Sequence, residues 1–183
     1  MSDEDIRRLE RALEADPSDT VALRRLAAAL SRVGRGWHGE PLPRDLVPSP
    51  KERNVYLYYR NILCLEMMYV SGDKGTSVWT TTNPDGTRRA HSAFYIGRMP
   101  VTRREWMDSG MSCQTSSSEV DLTDRIYWSR ELKDRPVTNV SYENAQEFCD
   151  RIDLRLPDRA ELARAAVGSV PEFGFRVALT GKH

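Results

Sequence analysis

The sequence predicts an α+β protein in which a helical hairpin precedes a β-rich domain carrying short, well-capped helices. Three observations predict it. Apolar residues recur at helical spacing through the first 34 residues. β-branched and aromatic runs broken by turn residues fill the middle. Ser, Thr or Asp stands immediately before each later amphipathic stretch.

The hairpin comes first. Ser2 is placed to cap a helix whose positive end carries Asp3, Glu4 and Asp5. Ile6, Leu9 and Leu13 share one face. Asp16-Pro17-Ser18-Asp19 interrupts the pattern, and Ser18 or Asp19 can cap a second helix. Leu23, Leu26, Ala27 and Leu30 form its apolar stripe, and Gly34 stops it. Leu13 to Pro17 followed by Ala22 to Ala27 resembles part of a tetratricopeptide unit, in a single copy. A hairpin packed on its own domain and a docking element for another protein are both open.

Arg35 to Pro50 holds Pro41, Pro43, Pro48 and Pro50, with Gly36 and Gly39. Proline fixes φ and removes a donor, so neither helix nor central strand is expected there. Trp37 and Leu42 are the expected anchors of this linker. The predicted organisation is a hairpin over 1–34, a linker over 35–53 and a larger domain over 54–183.

Within that domain, Val55–Tyr59 and Leu63–Val70 read as strands. Ser77–Thr82, the turn Asn83-Pro84-Asp85-Gly86 and a return strand over Thr87–Ile96 read as a β-hairpin. Thr102 begins a short helix through about Ser109, with Glu105 completing a capping box. Met111–Leu122 reads as a loop. Ser141 caps Tyr142–Ile152, and Asp158 caps a helix through about Val167 with Glu161 three residues on. Phe173–Leu179 reads as a final strand.

Composition narrows the function classes. Lys+Arg and Asp+Glu both count 27. That balance gives no nucleic-acid footprint, and low net charge favours association with a partner. No apolar run approaches the ~20 residues of a membrane span. Cys64, Cys113 and Cys149 are three, far apart and in no paired motif, which favours reduced thiols in a cytoplasmic protein over a disulfide framework or zinc site.

From about Leu65 to Val177 the motifs fall in a known order. Met67-Met68-Tyr69-Val70-Ser71-Gly72 opens it. His91, Phe94-Tyr95-Ile96 and Val101-Thr102 follow. Next come Pro136-Val137-Thr138-Asn139-Val140-Ser141-Tyr142, with Ala145, Phe148 and Cys149. Arg155-Leu156-Pro157 with its helix and Gly174-Phe175-Arg176-Val177 close it. This order resembles the formylglycine-generating-enzyme, or sulfatase-modifying-factor, family. The resemblance implies a C-type-lectin-like fold, here shortened.

The departures bear on function. In the family a long segment between the Arg-Leu-Pro helix and Gly-Phe-Arg carries a Trp-rich stretch, calcium ligands and, in true formylglycine generators, two copper-binding cysteines. Here Gly168–Phe173 stands between Val167 and Gly174 and holds no Trp, Cys, Asn or His. The iron-binding histidine pattern of the related sulfoxide synthases is not matched by His38, His91 and His183. Catalytic, cofactor-binding and metal-ligating residues are therefore each expected to be none. Cys149 on an amphipathic helix reads as a buried, inert thiol, His91 as structural, and Arg155 and Arg176 as structural cations with Glu161 pairing one of them.

Tyr127, Trp128 and Arg130, in a polar irregular stretch, are the candidate partner-binding residues, since aromatics and arginine dominate interface hot spots. The expected function is a non-catalytic binding or protein-interaction module. The alternatives are a metal-dependent oxygenase acting on cysteine or another thiol, completed by a partner chain, and a structural subunit of a larger assembly.

Overall fold

A computed structural model describes residues 3–111, 133–165 and 174–180. The elements are α1 (Asp3–Ala15), α2 (Thr20–Arg32), β1 (Leu46–Pro48), β2 (Val55–Arg60), β3 (Leu63–Val70), a 3-10 turn (Asp73–Gly75), β4 (Val78–Thr82), β5 (Arg88–Ser92), β6 (Phe94–Gly97), α3 (Arg103–Asp108), α4 (Tyr142–Arg151), α5 (Arg159–Ala165) and β7 (Ala178–Thr180). Helices and antiparallel strands together make an α+β protein, with the helical pair first. The chain divides into two compact units: residues 1–59, 66–95 and 180–183, and residues 60–65 and 96–179.

In the first unit, α1 packs on α2 and α2 packs on β1. Ile6 and Leu13 of α1 and Leu23, Leu26 and Leu30 of α2 are buried, which accounts for the stripe periodicity. Asp19, rather than Ser18, caps α2. Its carboxylate accepts from the Val21 and Ala22 amides, each at 2.9 Å. Gly34 adopts φ +66° beyond the helix end, the left-handed conformation of a C-terminal stop.

The linker is more ordered than proline content suggests. Trp37 is anchored as expected, its indole N–H donating to the Val55 carbonyl at 2.9 Å. Leu46–Pro48, however, forms strand β1, pairing antiparallel with β2 in the register Leu46↔Tyr58, Val47↔Leu57, Pro48↔Tyr56. β1 is an end strand, where proline's missing donor costs no ladder bond. β2 and β3 match their predicted ranges closely.

The β4–β5 hairpin also differs from expectation in one respect. Trp79 pairs His91 and Thr82 pairs Arg88. The Gly86 amide closes the turn on the Asn83 carbonyl at 2.9 Å, with Gly86 at φ +81°. The return strand stops at Ser92 instead of running to Ile96. After Ala93 the chain begins β6, which belongs to the larger sheet and is buried at all four positions. A strand of the hairpin alone would alternate; one buried on both faces does not.

In the second unit, Thr102 and Glu105 form a capping box on α3. The Glu105 amide donates to Thr102 Oγ1 at 3.2 Å, and the Thr102 amide donates to Glu105 Oε2 at 2.7 Å. Trp106 of α3 and Phe148 of α4 stack with rings 5.5 Å apart and nearly parallel, and Phe175 meets both edge-on. β7 follows β6 in the larger sheet. The predicted final strand is shorter than expected. Gly174 lies at φ +89°, and Phe175 and Val177 make single backbone bonds outside the named strands. The Val101 amide donates to Phe175 O at 2.9 Å, and the Gly97 amide to Val177 O at 2.8 Å.

Candidate functional site

Asn139 adopts φ 58°, a left-handed conformation that asparagine tolerates better than most residues. It reverses the chain between the buried Val137 and Ser141. Ser141 then caps α4, its Oγ accepting from the Asn144 amide at 3.2 Å. This turn forms one wall of a cavity of about 320 Å3 lined by Val137, Val140, Ser141, Tyr142, Leu156 and Phe175, among others. Gly174 also lines it. A β-carbon there would lie 3.1 Å from the Val137 carbonyl, so both its φ and its surroundings call for glycine.

The cavity is mixed in chemistry. Val137, Val140, Leu156 and Phe175 offer apolar surface, and Thr138, Asn139 and Ser141 offer hydroxyl and amide groups. Tyr142 is 70% exposed, an aromatic ring held out to solvent on the first turn of α4. Its volume lies at the lower end of the range for small-ligand sites. Among the described residues the lining holds hydroxyls but no Cys, His, Lys, Asp or Glu side chain. The arrangement is suited to holding a small amphipathic group.

The partner-binding candidates Tyr127, Trp128 and Arg130 lie outside the described residues, as do Cys113 and His183. The remaining singled-out residues take structural places. His91 stacks on Trp79 with rings 4.2 Å apart, and its Nε2 lies 2.9 Å from Thr81 Oγ1. Arg155 grips Glu161 through both terminal nitrogens, at 2.6 and 2.5 Å, while the Asp158 amide donates to Glu161 Oε2 at 2.9 Å. Arg176 Nε donates to the Gly97 carbonyl at 2.6 Å, and burial holds its guanidinium pKa below the usual arginine range.

The copper or iron that the resemblance implies can be tested against these donors. Cys149 is buried in α4, and desolvation, with Asp150 adding to it, pushes its thiol up to about 12. Metal binding needs the thiolate. Cys64 is exposed on β3. No group of three or more His, Cys, Asp or Glu among the described residues could hold a metal ion. These donors do not fit either metal.

A second cluster, in the first unit, was invisible to motif reading. Glu40, a linker residue, accepts hydrogen bonds on Oε1 from the hydroxyls of Tyr56 and Tyr95 and on Oε2 from the His38 amide. The Trp37 amide donates to Tyr56 Oη at 2.9 Å. Burial, reinforced by Glu40, raises both tyrosine pKa values far above the ordinary value. Every oxygen is satisfied from within, which marks a structural clasp. The only sequence hint was tyrosine density in β2, since buried hydroxyls require partners.

Among the described residues no helix is long and apolar enough to cross a membrane. A family model described as the sulfatase-modifying factor enzyme 1-like domain matches residues 64–179. Searches of curated proteins and of solved structures return no match.

Proposed function

Because the chain belongs to the sulfatase-modifying factor enzyme 1-like family over residues 64–179, we propose that it is a non-catalytic binding or protein-interaction module built on that domain. One observation carries the reading. Residues 166–173, Ala-Val-Gly-Ser-Val-Pro-Glu-Phe, join α5 to Gly174 without a single Cys, His, Asn or Trp. In the family this interval holds the redox cysteines and calcium ligands. What remains is a scaffold with a small amphipathic cavity and the exposed ring of Tyr142 beside it.

The protonated, buried thiol of Cys149 supports the same reading, since oxidation chemistry on sulfur begins from a thiolate. Tyr127, Trp128 and Arg130 stay in the proposal as partner-contacting residues, on composition alone. The module is read as cytoplasmic, where thiols stay reduced.

Purified full-length chain, expressed with added copper or iron, should carry neither metal at stoichiometric level and should consume no oxygen with a cysteine-containing peptide. Stoichiometric metal together with thiol-dependent oxygen uptake would replace this reading with that of an oxygenase. A photo-crosslinking residue at position 142 should yield one discrete adduct in cells. The same residue at exposed Met99 should not.

A further inference from the structure

The helical hairpin lies outside the family-matched residues, and the two helices present different surfaces. α1 mixes its charges: Asp3, Glu4, Asp5, Glu10 and Glu14 alternate with Arg7, Arg8 and Arg11. α2, Thr-Val-Ala-Leu-Arg-Arg-Leu-Ala-Ala-Ala-Leu-Ser-Arg, contains no acidic residue. Its apolar side chains Leu23, Leu26 and Leu30, with Ala22, Ala27 and Ala29, are buried. Val21, Arg24, Arg25, Ala28 and Arg32 are all exposed. At 100° per residue these five fall within about 100° of arc, and Val21 to Arg32 spans about 16 Å along the axis. Among the described residues, Arg24, Arg25 and Arg32 form no ion pair.

We propose that this stripe on α2 docks an acidic segment of a partner protein, one presenting carboxylates around an aliphatic side chain. Charge complementarity selects the occupant. Three guanidinium forks on one face match carboxylates in bidentate geometry. Val21, 57% exposed, and Ala28 lie between them and offer an apolar seat. RNA is disfavoured because α2 has no aromatic ring for base stacking and the chain as a whole balances 27 basic against 27 acidic residues. An anionic membrane is disfavoured because interfacial helices insert an apolar face, and the apolar face of α2 is already buried.

The inference rests on the interaction-module reading and adds a second contact surface to it. It is tested on variants that leave the cavity around Tyr142 intact, so failure here is distinguishable from failure of that reading. The full chain is titrated by fluorescence anisotropy with a labelled helical peptide of Glu and Leu at helical spacing. A Glu/Ser peptide of equal charge, an oligonucleotide and vesicles of anionic lipid serve as comparisons. The Glu/Leu peptide should bind best, and more weakly as salt rises. R24E/R25E/R32E should weaken it at least ten-fold with an unchanged circular dichroism spectrum, and V21S should weaken it several-fold. R24K/R25K/R32K should keep most of the salt dependence while losing affinity. No binding, equal binding of the Glu/Ser peptide, tighter binding of the oligonucleotide or vesicles, or an unaffected charge-reversed variant would each overturn the proposal.

Discussion

Gly36 makes room for Glu40: a β-carbon on Gly36 would fall inside the Glu40 carboxylate. The two are also joined through the backbone, the Gly36 amide donating to the Glu40 carbonyl at 2.8 Å. The carboxylate so placed holds the hydroxyls of Tyr56 and Tyr95 and the His38 amide. This short turn therefore adds a side-chain fastening of the linker to β2 and to Tyr95, beside the Trp37 indole and the β1 pairing.

Gly36→Ala forces the carboxylate out of that position. Losing hydrogen bonds that satisfy buried hydroxyls costs about 1–3 kcal/mol. For a chain of this size that is a drop of roughly 2–4 °C in Tm per kcal/mol. Glu40→Ala should cost a similar amount, and the double variant little more than either, because both act on one cluster. Urea denaturation of the three variants checks this. Fully additive losses would show that Gly36 and Glu40 act separately.

The same clasp sets a response to alkali. Tyr56 and Tyr95 have pKa values raised in the folded state, chiefly by burial. Unfolded tyrosines ionise from about pH 10, whereas the buried pair stays protonated. The folded state then binds more protons than the unfolded one, so stability is full below about pH 10 and falls as pH rises above it. The slope approaches about 1.4 kcal/mol per pH unit for each tyrosine. Tyr56→Phe should lower stability at pH 7 and flatten the loss between pH 10 and 11. A parallel slope in the variant would assign the alkaline response to other groups.

How much of this was legible in the sequence follows from distance along the chain. Caps and stripes are local. Thr102 with Glu105, Ser141 with Asn144 and Asp158 with Glu161 each lie within one helical turn, and the structure places them as expected. The β5–β6 break is not local. Arg88–Ser92 and Phe94–Gly97 are separated by Ala93 alone, and they pair in two different sheets. β1 was hidden because proline signals a break, while an end strand tolerates proline. The clasp joins Glu40 to residues 16 and 55 positions away, beyond any motif. The cavity is half legible: Pro136–Tyr142 is one of the motifs that carry the family resemblance, whereas Leu156 and Phe175 reach the same lining only through the fold.

The thiols should separate by reactivity. Cys64 is exposed, whereas Cys149 is buried with its thiol pushed up to about 12. At pH 8 a brief iodoacetamide pulse should label Cys64, and Cys149 only after unfolding in denaturant. Peptide mass spectrometry reads both sites. Labelling of native Cys149 as fast as Cys64 would contradict its burial and reopen a redox role.

Arg155 and Glu161 carry the last prediction. Glu161 is 7% exposed. It accepts from both terminal nitrogens of Arg155 and from the Asp158 amide, while its own amide donates to Asp158 Oδ1 at 2.7 Å. One carboxylate thus closes the capping box of α5 and pins Arg155, whose backbone bridges to Ala178. Glu161→Ala removes the carboxylate that the Arg155 guanidinium and the Asp158 amide share. Full burial would make such a loss about 3–5 kcal/mol. Because the Arg155 side chain is 37% exposed, water recovers part of it, and about 2–3 kcal/mol is expected. Arg155→Lys should recover less than half of the loss seen in Arg155→Ala, since an ammonium reaches one carboxylate oxygen where the fork reaches two. Equal stability of the lysine variant and the native chain, by urea denaturation, would show that charge alone holds the helix in place.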